Sequence, residues 1–383
     1  MNRTEQILLQ AIRKSLWKQP ADFPADTDWD AVLKEAEEQT ILGIVAPVAP
    51  KAVQERWKSK TCAVTAAFLR ILHAQDALCK LLKANDIPVV ILKGMASAIY
   101  YPDPLQRSMG DIDFLIPLEH FDRAKSLLAQ NGYAIREKLN YPRHIDLRKN
   151  GVSFEMHRYF SHTDVDIEED IIKGVQQAET AELYGYQFPV LPESTRGLVL
   201  LAHLAHHIKS GLGFRQVIDW MQYADRIVDD AYWERSFHSR VKQVGLETTA
   251  VTVTKMCQLY FGLKEDIHWC DAAEIELCEQ MMRNLLSSGN FGIKNGTGTR
   301  VEVTISRFQR IGIRYLQRAG EYNWQAYQKH HWLKSFAWAY QIGRYAKQAF
   351  CMRRSKTQLK DDMERGKQRS ELINRLRIGK KSE

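Results

Sequence analysis

The 383-residue chain predicts an α+β fold, with a small mixed β-sheet core at about residues 85–195 between N-terminal helices and a larger C-terminal helical domain. Three observations carry this expectation. Apolar residues before residue 85 recur with helical periodicity. Short β-branched runs and a tight-turn dipeptide crowd into the stretch that follows. After Pro189 and Pro192 the helical period returns and persists. The chain accordingly divides into a helical segment (1–84), a sheet core (85–195), a helical domain (196–352) and a basic charged tail (353–383).

In the first segment, residues 61–84 place Val64, Phe68, Ile71, Leu72, Leu78 and Leu82 at helical spacing, uninterrupted by proline. The texture changes at Asn85-Asp86-Ile87-Pro88. Val89 to Leu92 reads as a strand ending in the turn Lys93-Gly94, and residues 112–118 as a second strand. Residues 119–130 form a helix closed by Asn131-Gly132, and 133–137 a further strand.

Asn150-Gly151 is the preferred pair for a two-residue hairpin turn, between strands 144–149 and 152–157. Counting outward pairs Lys149 with Val152, Leu147 with Phe154, Asp146 with Glu155 and His144 with His157. Ile145, Leu147, Phe154 and Met156 then share an apolar face, and the polar face sets two carboxylates opposite each other. Like charges across a ladder are destabilising unless a cation or proton lies between them.

Beyond Pro192, helices are expected over 195–209, 216–228, 233–244 and 248–261, then a polar Gly-rich break at 287–299 and aromatic-rich helices at 308–318 and 332–350. The last of these carries Trp332, Phe336, Trp338, Tyr340, Tyr345 and Phe350 with Lys334, Arg344 and Lys347. Such a composition suits a membrane interface; packing in a helical core explains it with fewer assumptions.

Composition narrows the function. Apolar residues at 45% and charged residues at 26% exclude wholesale disorder, and no run approaches the length of a membrane span. The N-terminus mixes Ile7, Leu8, Leu9 and Ile12 with Arg3, Glu5 and Arg13, an amphipathic pattern unlike a signal peptide. Six scattered cysteines suggest free thiols in a reducing compartment, so the expected location is cytoplasmic. Of the net charge of +8, the tail holds +6, from 11 Lys plus Arg against 5 Asp plus Glu. That leaves a nearly neutral body and no long basic groove for nucleic acid, and the tail reads as a solvated helix or disordered end.

The chemistry is expected at Gly110-Asp111-Ile112-Asp113. Acids two apart on a strand project to one face, and such a pair persists where it holds a metal or shares a proton. Asp26/Asp28, Asp28/Asp30 and Asp164/Asp166 share the spacing but sit in polar surroundings, whereas Asp111 and Asp113 open an apolar strand. Gly94 is explained better by a turn needing positive φ than by phosphate contact. His203 and His207 lie one helical turn apart, but no third ligand accompanies them, so zinc is not expected.

Lys93-Gly94, Tyr101-Pro102, the run Arg107 to Ile116, Phe121, Ala124, Leu128, Gly132-Tyr133 and Glu155-Met156-His157 resemble the DNA polymerase beta-like nucleotidyltransferase superfamily. More narrowly they are similar to its bacterial "uncharacterised nucleotidyltransferase" family. The resemblance is strong over 87–160 and extends more weakly through 200–208 and 214–220. It implies an enzyme that binds Mg²⁺ (or Mn²⁺) and an NTP such as ATP. Asp111, Asp113 and Glu155 would be the metal-binding and catalytic residues. Lys93, Gly94, Ser97, Arg107 and Ser108 lie where nucleotide phosphates would be met, the arginine offering its fork of donors. The family's usual Gly-Gly or Gly-Ser turn is here Lys93-Gly94, with Ser97 further on. His144, Asp146 and His157 would orient the carboxylates, and His206, with Asp219, would belong to a helical wall against the sheet. The acceptor is expected to be a small molecule or a protein ahead of nucleic acid. The competing reading is a catalytically silent nucleotide- or polyanion-binding protein.

Overall fold

Asn150 and Gly151 both adopt positive φ, 50° and 75°, as a tight hairpin turn between right-twisted strands requires. The structure, a computed structural model, describes residues 1–136, 143–160, 165–289, 293–294, 297–298, 300–351 and 356–380. Glu137, Asp164 and parts of the 287–299 stretch and of the tail lie outside them.

Seven strands form the main sheet: β1 (Val90–Ile91), β2 (Ile112–Leu115), β3 (Ala134–Arg136), β4 (His144–Lys149), β5 (Val152–His157), β6 (Glu179–Leu183) and β7 (Tyr186–Val190). Their order is β3-β4-β5-β2-β1-β7-β6. The β2–β5 and β1–β7 pairs are parallel and the others antiparallel, so the sheet is mixed as expected. The β4–β5 register is the one counted from the turn, with Asp146 opposite Glu155 and His144 opposite His157.

One face of the sheet is apolar. Phe114, Phe154 and Met156 pack there with Phe68, Leu72 and Leu82 of the long helix Lys51–Lys83 and with Phe121 and Leu128 of the helix Leu118–Gln130. At roughly 1.5–3 kcal/mol per large buried side chain, this layer holds the strand register firmly. Asp113 and Glu155 belong to the opposite face because side chains alternate along a strand.

The helix Glu193–Ser210, which follows β7 after Pro192, brings Leu200, His203 and His206 to the cavity on that second face. A second core joins this helix to the N-terminal helix Arg3–Trp17, the helix Phe214–Ile227 and the later helices. Trp17 donates its indole N–H to the carbonyl of Phe261 at 2.8 Å.

Three features depart from the sequence reading. The β6–β7 hairpin, turning at Tyr184-Gly185 with both φ positive, was not expected. The described part of the tail is not a free end: the helix Lys356–Arg375 docks, and Leu372, Ile373 and Leu376 are buried in the second core. Arg369, 1% exposed, donates to Ser288 and lies 3.9 Å from Glu302. Core packing also fails as the account of the aromatic helix, since Trp332 is 73% exposed, Phe336 56% and Trp338 39%. Tyr340 does pack, stacked on Trp324 at 5.0 Å, and the Tyr345 and Tyr315 hydroxyls meet at 2.9 Å. Among the described residues, no helix is long and apolar enough to cross a membrane.

Candidate active site

The carboxylates converge because β2 and β5 are parallel neighbours. Asp113 is the register partner of Glu155, which is in turn the partner of Asp146 on β4. Asp111 lies just before β2, two residues from Asp113. One ligand oxygen from each of Asp111, Asp113 and Glu155 falls within 4.8 Å of the others. Histidines thread the row. His157 Nε2 lies 3.1 Å from Asp113 Oδ1 and 3.5 Å from Glu155 Oε2. His144 Nε2 lies 3.2 Å from Asp146 Oδ1 and 3.8 Å from Glu155 Oε1.

Lys93 ends β1 and extends its ammonium to Asp113 Oδ1 at 2.9 Å. Burial opposes its charge, but the carboxylates of Asp113 and Asp111 outweigh burial and raise its pKa. For Asp113 burial again opposes charge, yet Lys93 and His157 hold the carboxyl well below the usual range. Burial likewise opposes protonation of His157, and its bonds to Asp113 and Glu155 reverse that and raise its pKa. Asp111 differs: the negative charge of Asp113, then burial, pushes it up to about 6.

A divalent cation would relieve that asymmetry. Asp113 already has a cation, and Asp111 is left facing a like charge that a metal ion would neutralise. An all-oxygen set of three carboxylates suits Mg²⁺ or Mn²⁺. The residues present therefore fit such an ion, with Asp111, Asp113 and Glu155 as its holders.

These groups line a cavity of about 270 Å³ with Gly94, Arg107, His144 and His157 on one side and Leu200, His203, His206, His207 and Arg215 on the other. Gly94 has φ 69° and closes the β1 turn, so backbone conformation accounts for it; it also faces the cavity. Arg107 reaches the cavity wall, but its fork is taken by Asp219, with Nε to Oδ1 at 2.8 Å and an Nη to Oδ2 at 2.7 Å. Asp219 also accepts from the Tyr101 hydroxyl at 2.7 Å. Arg107 thus forms an ion pair that pins the segment before β2 to the helix Phe214–Ile227.

Ser97 is 1% exposed in the short helix Met95–Ala98, and neither it nor Ser108 lines this cavity. The structure therefore does not bring these two serines together with the acids in this cavity. The guanidinium with room for an anion is Arg215. Among the described residues it makes one hydrogen bond, to the carbonyl of Ser108 at 3.2 Å, and burial, then the neighbouring Arg107, lowers its pKa. Its sequence signal was its place at the start of a helix after Gly211-Leu212-Gly213. His206 lies on the helical wall as expected. His203 and His207 share a 2.9 Å Nε2–Nε2 contact, and neither belongs to a metal-ligand cluster among the described residues.

The mixed sheet thus sets two acids at the head of one strand beside a third on its parallel neighbour. The model of the uncharacterised nucleotidyltransferase family matches residues 25–262, and the chain belongs to that family. Its fold has been compared with a crystal structure of an antigenic nucleotidyltransferase-like protein from Paracoccidioides brasiliensis. That match has 14% identity, covers 51% of this chain and 93% of the other, and has a TM-score of 0.33. No curated protein matches the chain. The family membership supports a nucleotidyltransferase role in general.

Proposed function

We propose that the protein is a metal-dependent nucleotidyltransferase, moving an NMP from an NTP such as ATP to an acceptor hydroxyl with release of pyrophosphate. The observation that carries this reading is the convergence of Asp111, Asp113 and Glu155 within 4.8 Å in a cavity that also presents Lys93 and Arg215. Mg²⁺ or Mn²⁺ bound by these carboxylates supplies the charge that holds attacking and leaving oxygens in line.

The chain's own groups do the positioning. Lys93 fixes Asp113, and Lys93 and Arg215 face the donor phosphates from the β1 side. Glu155 stands at the other edge of the triad, toward β4, where it receives the proton of the acceptor hydroxyl. His157, 3.5 Å away, and His144, 3.8 Å away, flank its carboxylate and orient it, the part that groups around metal ligands play. Preorganised charge of this kind supplies most of the catalysis in phosphoryl-type transfer.

The test is pyrophosphate release from each of the four NTPs with Mg²⁺ or Mn²⁺, across a panel of hydroxyl-bearing small molecules and proteins. Activity that disappears in Asp111→Asn plus Asp113→Asn supports the proposal. If the wild type binds NTP but releases no pyrophosphate with any acceptor, the catalytically silent reading replaces it.

A further inference from the structure

Beside the catalytic cavity lies a second one, of about 580 Å³, and the two share Arg143 and His206 in their walls. Among the described residues its charged lining is cationic: Arg143, Lys209, Arg307, Arg310 and Arg318, with no carboxylate among them. Lys209 is 9% exposed and Arg318 stands at the solvent side. Neither Arg307 nor Arg318 makes a hydrogen bond or ion pair with a described residue. Burial first, and then the charge of Arg307, push His206 between the cavities down to about 4. Gathering like charges is unfavourable, and it is relieved when an anion takes the fork-shaped donors.

The charge of the chain has the same layout. Residues 300–383, which supply Arg307, Arg310 and Arg318, hold 20 Lys plus Arg against 7 Asp plus Glu. The preceding 299 residues hold 34 against 39. The excess of cations therefore lies in the last 84 residues of the chain, three of which, Arg307, Arg310 and Arg318, line this cavity.

Sheet order says which substrate the cavity serves. Lys93 and Gly94 follow β1, while Arg143 precedes β4, and β2 and β5 lie between them. Arg143 is thus on the Glu155 side of the triad, away from the turn assigned to the donor. Resting on the nucleotidyl-transfer reading, we infer that the second cavity anchors the acceptor, and that the acceptor is a small molecule bearing a phosphate monoester as well as a hydroxyl. Its volume suits a small ligand.

With the phosphate held by Arg307, Arg310 and Arg318, the hydroxyl oxygen of the same molecule bonds to the α-phosphorus of the NTP. The bond from that phosphorus to the bridging oxygen breaks, and pyrophosphate leaves with the electron pair. The hydroxyl proton passes to Glu155 and on to water.

The experiment is calorimetric titration of the full chain with glucose 6-phosphate, with glucose, and with Mg²⁺ plus α,β-methylene-ATP, alone and in sequence. Glucose 6-phosphate is expected to bind where glucose does not, and to bind equally well when the ATP analogue is already present. Arg307→Gln plus Arg318→Gln should weaken glucose 6-phosphate roughly tenfold or more, the loss of charge-assisted hydrogen bonds, while the analogue binds unchanged. Arg318→Glu alone, an exposed substitution that spares the core, should weaken it in the same direction.

Competition between glucose 6-phosphate and the analogue would assign the cavity to the donor triphosphate and overturn the inference. So would unchanged phosphate binding in the variants, or binding of a short RNA oligonucleotide in place of the sugar phosphate. Failure of the catalytic reading shows separately, as analogue binding that needs no Mg²⁺ and survives Asp111→Asn plus Asp113→Asn.

Discussion

Arg107 and Asp219 meet at two points, 2.8 and 2.7 Å, across 112 positions of sequence, and both side chains are about 6% exposed. A buried pair of this kind is unforgiving toward loss of one member, because the survivor is an uncompensated charge. Asp219→Ala should therefore destabilise the fold by about 3–5 kcal/mol, read as a lowered urea midpoint. Arg107→Met plus Asp219→Leu should recover much of that loss. Recovery no better than the single variant would mean the pair acts through more than its charges.

Arg215 predicts the opposite balance. Its guanidinium is desolvated and has no carboxylate partner among the described residues. Arg215→Ala should leave the urea midpoint unchanged or raise it, and weaken binding of an NTP analogue by about 1.5–3 kcal/mol. Calorimetry measures this directly, and an unaltered affinity would remove Arg215 from the donor site.

Asp111, with its carboxyl pushed up to about 6, makes metal-free stability pH-dependent. The native state holds the proton more tightly than the unfolded chain, whose carboxyl titrates near 3.9. The contribution of this group is therefore fully present below about pH 4 and is lost as pH rises through about 6. Asp111→Asn should flatten that part of the stability profile and raise metal-free stability at pH 7 by about 1–2 kcal/mol. Mg²⁺ should stabilise the wild type above pH 6 and leave the variant unaffected.

The histidines of the helix Glu193–Ser210 act in the other direction. Burial, ahead of the surrounding cations, pushes His206 down to about 4 and His207 to about 3, and also lowers His203. Their contribution to stability is present above the unfolded value near 6.5 and is lost as pH falls toward 4 and 3. Urea midpoints measured from pH 7 to pH 4 should fall, and His203→Gln plus His207→Gln should make the fall shallower.

The docked tail gives a fifth stability expectation. Leu376 is fully buried in the second core, and Leu376→Ala should cost about 2–5 kcal/mol. A solvated tail would show almost no change in the urea midpoint.

Local patterns were legible and distant partnerships were not. Asn150-Gly151 was sufficient to set Asp146 against Glu155, because turn chemistry and strand alternation act within a few residues. Asp111 and Asp113 could be separated from the other acid pairs by the apolar strand they open. The Asp219 partner of Arg107 was not legible, because a guanidinium beside acids looks alike from sequence whether it meets phosphate or a carboxylate on a remote helix. The tail was misread for a different reason. Its charge masked Leu372, Ile373 and Leu376, whose spacing of one, three and four residues is that of a buried helical stripe. The exposed Trp332 and Phe336 show the converse, aromatic residues at helical spacing that no core receives.

The tight turn at Asn150-Gly151 has a consequence for how this protein can change. Surface loops ordinarily absorb insertions and deletions, and this one is exposed. Yet the β4–β5 pairing is counted from it, and a shift of one residue sends every side chain of a strand to the opposite face. A single added residue there, four positions from Glu155, would therefore take a carboxylate away from Asp113 without altering any of the three acids. Length variation is better tolerated at Tyr184-Gly185, where the hairpin forms the edge of the sheet. Of two similar turns, one is free to drift and the other is bound to the chemistry.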